Sequence, residues 1–266
     1  MNRIQNLFSG EKKNILSIYF TAGFPALNDT HKILYALQEH GADLVEIGMP
    51  YSDPLADGPV IQHSSMVAIH NGMTIKLLLE QLKDCRNSVH LPLILMGYLN
   101  PVLQYGIENF CRDAHDAGID GLILPDLPLY EFENEYKAVF QQYDLSVVFL
   151  VTPETSEARI RKIDEAGNGF IYAVSSSSIT GTAQNMAAQE GYFRRLKDMD
   201  LNNAFLIGFG IKDSKTFSQA CKYAAGAIIG TAYIKAIENS VNVKSDTEKF
   251  LNSILHPGSI SSAESG

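Results

Sequence analysis

The sequence has few basic residues. Its 266 residues include 21 Lys and Arg against 30 Asp and Glu, which gives a formal net charge of -9 at pH 7. The basic residues are scattered, so the electrostatic footprint of a polyanion-binding protein is missing. Nucleic acid is therefore not an expected partner. A small anion is still compatible with this charge, because helix N-termini and backbone N–H groups bind a single phosphate without net positive charge.

Cysteine, histidine clusters and long apolar segments are also scarce. Cys85, Cys111 and Cys221 lie far apart without a Cys-x-x-Cys pair, and we expect buried thiols in a reducing compartment. The seven histidines show no short metal-ligand spacing. No segment reaches about 18 uncharged apolar residues, and the N-terminal residues have no apolar core of signal-peptide length. These absences predict a cytoplasmic protein without a metal site.

Apolar runs recur along the chain and alternate with stretches of helical periodicity. Four of them are ILSIYFT (15–21), PLILMG (92–97), LSVVFLV (145–151) and AFLIGFG (204–210). The other four follow similar helix-to-strand junctions at 39–48, 116–125, 165–174 and 222–231. In three of these junctions a glycine, Gly41, Gly118 or Gly167, is predicted to end the helix in the left-handed conformation.

These runs predict the fold class. Strands that are apolar throughout are buried on both faces, as in a parallel sheet covered by helices. Eight strand-helix units indicate an α/β protein with one (β/α)8 barrel, predicted to occupy residues 1–256 as a single domain. An open doubly wound sheet is the alternative, because the pattern does not show closure. The polar tail at 257–266 is predicted to be disordered.

Two carboxylates stand out in the stretch DLVEIGMPYSDPLADGP (43–59). Glu46 lies inside an apolar strand, on the face it shares with Leu44, and would point into the barrel near the end where active sites of this fold lie. A buried carboxylate without a basic partner tends to hold its proton, which suits a general acid or base. Asp57 follows in the next loop, where Asp-Gly pairs also form simple turns.

A phosphate site is predicted after the last three strands. The residues concerned are Thr180-Gly181, Gly208-Phe209-Gly210 and Gly230-Thr231. Loops after the seventh and eighth strands bind phosphate in many barrels, and glycine lets backbone N–H groups approach an anion. No assigned strand carries the interior lysine that a Schiff-base aldolase needs. Two carboxylates and a phosphate-binding site therefore indicate cofactor-free acid-base chemistry on a phosphorylated metabolite.

Several motifs together resemble the tryptophan synthase alpha subunit family over nearly the whole chain. They are TAGFP (21–25), LVEIGMPYSDPLADGPVIQ (44–62), GYLNPV (97–102), GLILPDLP (121–128), FIYAVS (170–175), TG (180–181) and GFGI (208–211). The resemblance implies a (β/α)8 barrel that cleaves indole-3-glycerol phosphate to indole and glyceraldehyde 3-phosphate by a retro-aldol step. Such an enzyme is a carbon-carbon lyase of tryptophan biosynthesis.

The same resemblance implies roles for individual residues. Glu46 would shuttle the proton to indole C3 and from the glycerol hydroxyl. Asp57 would hydrogen-bond the indole N–H and, kept ionised by a solvent-edge loop, stabilise positive charge on the ring. Tyr172 would line the indole pocket. The phosphate-binding positions would be Thr180, Gly181, Gly210, Gly230 and Thr231.

The resemblance also implies a partner, a beta subunit that carries pyridoxal phosphate in an alpha2-beta2 heterotetramer, with no cofactor in this chain. The loop after the second strand, the Asn100-Pro101 turn and the lid loop would lie near that interface. Many family members carry an arginine in the lid, where this chain has serines at 175–178. Three alternatives stay open: a free-standing indole-releasing lyase, a non-catalytic regulatory subunit that binds phosphate ligands, and an unrelated phosphate-binding barrel isomerase.

Overall fold

The computed structural model describes residues 2–10, 12–175 and 183–258, and its centre is a closed parallel sheet. The strands are β1 (Ile15–Thr21), β2 (Leu44–Gly48), β3 (Leu93–Met96), β4 (Gly121–Ile123), β5 (Ser146–Val151), β6 (Ile171–Val174), β7 (Phe205–Gly208) and β8 (Gly226–Ile229). They pair in sequence order, and β8 pairs with β1 to close the ring. The predicted (β/α)8 barrel is therefore confirmed, and the open doubly wound sheet is wrong.

Helices surround the barrel. They are α1 (Arg3–Ser9), α2 (Thr30–Glu39), α3 (Pro59–His70), α4 (Ile75–Leu82), α5 (Leu99–Tyr105), α6 (Ile107–Asp116), α7 (Leu129–Glu131), α8 (Lys137–Gln142), α9 (Glu157–Ala166), α10 (Ala183–Asp198), α11 (Ser214–Ala220), α12 (Thr231–Ile237) and α13 (Val243–Leu255). A short 3-10 turn, Cys85–Asn87, precedes β3, and a π-helical turn, Phe132–Tyr136, joins α7 to α8. Of the helices in the described ranges, none has both the length and the apolar composition of a membrane span.

Two separate hydrophobic cores result from the alternation of side chains along the strands. The inner core takes one residue from each strand: Ile15, Leu44, Ile94, Ile123, Val148, Tyr172, Leu206 and Ile228. Their strand neighbours, such as Val45 and Ile47, pack in the outer core against the helices. Because successive strand residues point to opposite faces, this division fixes which side chains can enter the interior. Leu44 lies inside, as predicted, and Glu46 shares its face.

The N-terminal segment covers the end of the barrel at which the strands begin. Ile4 of α1 is fully buried in the inner core. A Cβ on Gly121 would come within 2.7 Å of Ile4 Cδ1, so glycine at the start of β4 makes room for this side chain. The Asn2 amide donates hydrogen bonds to the Asp120 carbonyl at 2.9 Å and to Ser146 Oγ at 2.8 Å. We call this arrangement the barrel floor.

The three predicted left-handed glycines do not all behave alike. Gly41 and Gly118 have φ values of 99° and 80°, as predicted. Gly167 is extended instead, with φ -79° and ψ 160°, so its prediction is wrong. A Cβ there would lie 3.2 Å from the Ile163 carbonyl oxygen, which indicates that close packing, not positive φ, favours glycine. The predicted domain limits at 1–256 and the disordered tail at 257–266 stay predictions.

Two smaller expectations also need correction. Cys85 and Cys111 are buried thiols, but Cys221 is only partly buried: it follows the end of α11 and packs at the margin of the outer core. Asn100-Pro101 is not a turn. Both residues lie in the first turn of α5, where proline is tolerated because the first helical N–H groups have no partner within the helix.

Candidate active site

Glu46 lies in the barrel interior and has no contact with solvent. It is the third residue of β2 and is 0% exposed. Its Oε1 accepts a hydrogen bond of 2.8 Å from Ser17 Oγ of β1. Its Oε2 is buried and has no hydrogen-bond partner among the described residues. The side chain is thus held at one oxygen and free at the other.

Burial changes the protonation of this carboxyl. Loss of hydration raises the pKa of Glu46 to about 8, while the hydrogen bond from Ser17 opposes part of the rise. Among the described residues, no basic side chain contributes to this shift or forms an ion pair with Glu46. A carboxyl in this state is mostly protonated at neutral pH and can both give and take a proton.

Asp57 lies in the loop between β2 and α3. Its Oδ2 accepts a hydrogen bond of 3.1 Å from the Tyr98 hydroxyl, and that hydroxyl accepts one of 3.0 Å from the Ala56 N–H. The loop lies at the solvent edge, as expected, but the Asp57 side chain itself is half-buried. Burial therefore raises the pKa of Asp57, and the Tyr98 hydrogen bond acts in the opposite direction by stabilising the charge.

Two tyrosines lie beside these carboxylates, and each occupies space left by a glycine. A Cβ on Gly48 would lie 2.2 Å from the Tyr19 hydroxyl, and a Cβ on Gly208 would lie 2.2 Å from the Tyr172 hydroxyl. Burial raises the pKa of both tyrosines, and the charges of Glu46 and Asp57 raise each further. The structure thus brings the predicted Tyr172 close to both predicted carboxylates.

The predicted anion-binding loops follow two neighbouring strands, β7 and β8. Phe209 and Gly210 have φ values of 68° and 73°, and the Phe209 ring packs edge-on against Tyr172 with centroids 6.2 Å apart. Gly230 precedes α12, which begins at Thr231 and has no side-chain cap. The first N–H groups of such a helix are available to an anion. Thr180 and Gly181 lie outside the described residues.

Ser175 begins the segment predicted as a lid but is fixed to the barrel. It is 4% exposed, and its hydroxyl lies 3.0 Å from the Gly208 carbonyl oxygen. The same hydroxyl also contacts the Phe209 carbonyl oxygen. This serine therefore supports the loop that carries Phe209. The remaining serines of the predicted lid, at 176–178, lie outside the described residues.

The sequence reasoning missed Ser17, Tyr19 and Tyr98. Tyr19 and Ser17 share the inner face of β1, and Tyr19 is paired with Glu46 in the sheet register. The sequence shows that Ser17 and Tyr19 lie on the same face of β1. It does not show the register between β1 and β2 that brings them to Glu46. Tyr98 is the second residue of the GYLNPV motif (97–102). Its contact with Asp57 depends on how two loops approach each other. Ser17 and Tyr19 thus lie beside the buried acid, and Tyr98 contacts Asp57.

Other features of the described residues do not compete for this chemistry. No group of three His, Cys, Asp or Glu side chains there could hold a metal ion. A cavity of about 550 Å³ lies between the loops after β4 and β5 and helix α9. Its lining includes Asp126, Glu154 and Arg159 but no residue of the predicted site. A smaller recess is lined by Tyr19, Asp57 and Tyr98, directly beside Glu46.

Comparison with known proteins identifies the family. The model of the family described as tryptophan synthase alpha chain matches residues 6–257. The chain belongs to this family. Among curated tryptophan synthase alpha chains, that of Flavobacterium johnsoniae is 56% identical over 241 residues, covering 90% of this chain and 95% of the relative. That of Phocaeicola vulgatus is 51% identical over 256 residues, covering 96% and 98%.

Solved structures of tryptophan synthase give the same result. The alpha subunit from Legionella pneumophila superposes with a TM-score of 0.85 at 34% identity, covering 96% of this chain and 97% of that one. A chain of the tryptophan synthase complex from Pyrococcus furiosus gives a TM-score of 0.83 at 31% identity, covering 92% and 98%. The resemblance predicted from the motifs is therefore confirmed.

Membership of the tryptophan synthase alpha chain family establishes the activity. The chain is the alpha subunit of tryptophan biosynthesis, a carbon-carbon lyase that cleaves indole-3-glycerol phosphate. The unrelated barrel isomerase and the non-catalytic regulatory subunit are therefore wrong as interpretations.

Proposed function

We propose that Glu46 is the general acid and base of the cleavage and that Asp57 stabilises the charge that develops on the indole ring. The observation that carries this proposal is the state of Glu46: fully buried, without a basic partner, and with a pKa of about 8. Such a carboxyl is protonated at neutral pH, yet its pKa is close enough to neutrality for reversible transfer. That is what a carbon acid reaction requires.

The proton transfers can be followed from atom to atom. Glu46 gives its proton to C3 of the indole, which turns the ring into a cationic indolenine. The Asp57 carboxylate accepts a hydrogen bond from the ring N–H and stabilises this charge. The bond between C3 and the glycerol carbon then breaks, and its electrons return to the ring. Ionised Glu46 takes the proton of the glycerol hydroxyl, which leaves indole and glyceraldehyde 3-phosphate.

The substrate is held from two sides in this proposal. Tyr172 and Phe209, packed edge to face, offer an apolar surface for the indole ring. The N–H groups of Gly210 and of the first turn of α12, after Gly230, offer donors for the phosphate, and the Thr231 hydroxyl adds another. The barrel supplies these groups without a lysine or arginine. Thr180 and Gly181 stay in the proposal as further phosphate contacts.

The phosphate assignment predicts the effect of a charge at Gly210. We expect Gly210→Asp to raise KM for indole-3-glycerol phosphate by about tenfold to a hundredfold, because a carboxylate would face the phosphate. Gly210→Asn is the matched control, since it makes the same demand on the positive φ of 73° without the charge. Steady-state kinetics of both variants measure the difference. Equal KM values for Asp and Asn would contradict the phosphate site.

We further propose that the chain works with a pyridoxal-phosphate beta subunit and supplies no cofactor of its own, in a cytoplasmic alpha2-beta2 complex. Similarity to a chain of the P. furiosus tryptophan synthase complex supports a beta partner. Large apolar side chains also follow three consecutive strands: Leu55 after β2, Leu103 after β3 and Tyr130 after β4, exposed by 92%, 43% and 71%. Exposed apolar residues grouped at one end of a barrel suit a protein interface.

Indole release tests this partnership. We expect the isolated chain to release indole slowly and the addition of beta subunit to accelerate it strongly. Leu55→Asp should weaken the complex by about tenfold or more, because it places a charge in the proposed apolar contact. Val241→Asp is the control, since Val241 is also exposed but lies between α12 and α13, after β8, and not in a segment that follows β2, β3 or β4. Full activity without the beta subunit would favour a free-standing lyase.

A further inference from the structure

Ser17 is an unusual residue for its position. It lies on β1 between Ile15 and Tyr19, on the strand face that elsewhere carries isoleucine, leucine and valine, and it is 0% exposed. A hydroxyl in such surroundings lowers stability unless it is hydrogen-bonded, and an apolar side chain would fit the inner core better. Its only hydrogen-bond partner among the described residues is Glu46 Oε1, at 2.8 Å.

We infer that Ser17 is a positioning residue for the cleavage reaction: its hydroxyl anchors Oε1 of Glu46 and leaves Oε2 as the oxygen that exchanges protons with the substrate. The inference rests on the proposed role of Glu46 and adds to it. Oε2 is the buried oxygen without a partner, so it is the one left for a substrate atom. Restricting a carboxyl to one rotamer in this way fixes the direction of proton transfer.

The anchor also stabilises one state of the acid. A hydroxyl that donates to a carboxylate favours its ionised form and lowers its pKa. Glu46 must be protonated to donate its proton to C3 and ionised to accept the glycerol proton, so both states have to be accessible near neutral pH. Burial alone would hold the proton too tightly. The hydrogen bond from Ser17 counteracts this effect of burial on the pKa of Glu46.

The other groups near Glu46 do not replace this anchor. Apart from Tyr98, which contacts Asp57, the titratable groups whose charges act in this part of the site are Tyr19 of β1, Tyr172 of β6 and Asp57 of the loop after β2. Both tyrosines stay neutral near pH 8, because burial raises the pKa of each. β3, on the other side of β2, places the apolar Ile94 opposite Glu46. Among the described residues, no cation contributes to the Glu46 titration.

The test compares Ser17→Ala, Ser17→Cys and Ser146→Ala in the full chain bound to beta subunit. Ser17→Ala removes the hydroxyl donor. Ser17→Cys replaces the hydroxyl with a thiol, a weak donor of similar size. Ser146 is a second fully buried strand serine, but its hydroxyl contacts Asn2 at the barrel floor. Two quantities are measured: kcat and KM against pH, and the infrared titration of the protonated-carboxyl band that is absent in Glu46→Gln.

We expect Ser17→Ala to lower kcat about threefold to tenfold with little change in KM. The infrared titration of Glu46 should move to higher pH by about 0.5 to 1, and the basic limb of kcat should move with it. Ser17→Cys should lie between the wild type and Ser17→Ala, and it decides the question if Ser17→Ala does not fold. Ser146→Ala should leave the titration unchanged even if it lowers stability.

Two outcomes would overturn the inference, and they can be told apart. If Glu46 titrates at the same pH with and without the Ser17 hydroxyl, while Glu46→Gln is inactive, Ser17 is only a structural residue and the proposed function stands. If Glu46→Gln retains normal turnover, the proposed function fails and the role of Ser17 in catalysis fails with it.

Discussion

Replacement of Glu46 by glutamine should reduce indole formation at least about a thousandfold, because the amide keeps the shape of the side chain but cannot transfer a proton. The Gln carbonyl can still accept the hydrogen bond that Ser17 now donates to Oε1. The proposed phosphate contacts after β7 and β8 are untouched, so substrate binding should persist. Single-turnover assays of indole release, with substrate affinity measured separately by calorimetry, distinguish the two effects.

A control for this variant comes from another buried acid. Asp164 is 5% exposed, but its carboxylate accepts hydrogen bonds from the Asn202 and Asn203 backbone N–H groups, both at 2.8 Å, far from the site residues. Asp164→Asn should lower stability and leave kcat of the folded protein near normal. Near-normal turnover by Glu46→Gln, in contrast, would remove the basis for the proposed mechanism.

The raised pKa of Glu46 also links this residue to stability. The folded chain holds the Glu46 proton up to about pH 8, whereas the unfolded chain releases it at the ordinary pKa of a glutamate. Between these two pKa values the folded state binds more protons, so the free energy of unfolding falls as pH rises, by up to about 1.4 kcal/mol per pH unit. The Gln variant lacks this dependence. Its stability relative to the wild type should therefore improve as pH increases from about 5 to 8.

Replacement of Asp57 by asparagine should lower kcat by about a hundredfold to a thousandfold, because it removes the charge that faces the developing cation. Asparagine keeps the size of the side chain, and its carbonyl can still accept the hydrogen bond from Tyr98. The Glu46 titration should change little, since burial is its largest cause. Steady-state kinetics and the infrared titration together check both statements.

Asp53→Asn is the matched control for Asp57→Asn. Asp53 lies in the same loop and is exposed, and its carboxylate accepts a hydrogen bond of 2.6 Å from the neighbouring Ser52. It carries the same charge without facing the buried acid, so its loss should change kcat less than about twofold. If both variants lose activity equally, the effect belongs to the loop charge as a whole and not to Asp57.

The barrel and the position of its buried acid could be predicted from the sequence because both depend on alternation along strands. Eight apolar runs correspond to the eight observed strands, and the face shared by Leu44 and Glu46 follows from a period of two. Family membership was likewise readable from the motifs around Asp57. These signals are local, so one sequence is enough to carry them.

The remaining features depend on strand register and on how loops approach each other, which cannot be read from periodicity and motifs in a single sequence. Ser17 reaches Glu46 because β1 and β2 pair Ser17 with Leu44 and Tyr19 with Glu46. The half-burial of Asp57 follows from its contact with Tyr98, 41 residues along the chain. Gly167 is a further example. Glycine is favoured there because a Cβ would pack too closely against the Ile163 carbonyl oxygen, and this contact is not visible in the sequence.

The barrel floor determines the direction in which the product can leave the barrel. Ile4 fills the interior at one end, and the Asn2 amide ties the first residues to Asp120 and Ser146. In the proposed mechanism indole is released at Glu46 with the closed end of the barrel behind it, so it must leave on the side where Leu55 and Tyr130 protrude. The fold thus imposes a one-ended route, which delivers a poorly water-soluble product toward whatever docks on that side.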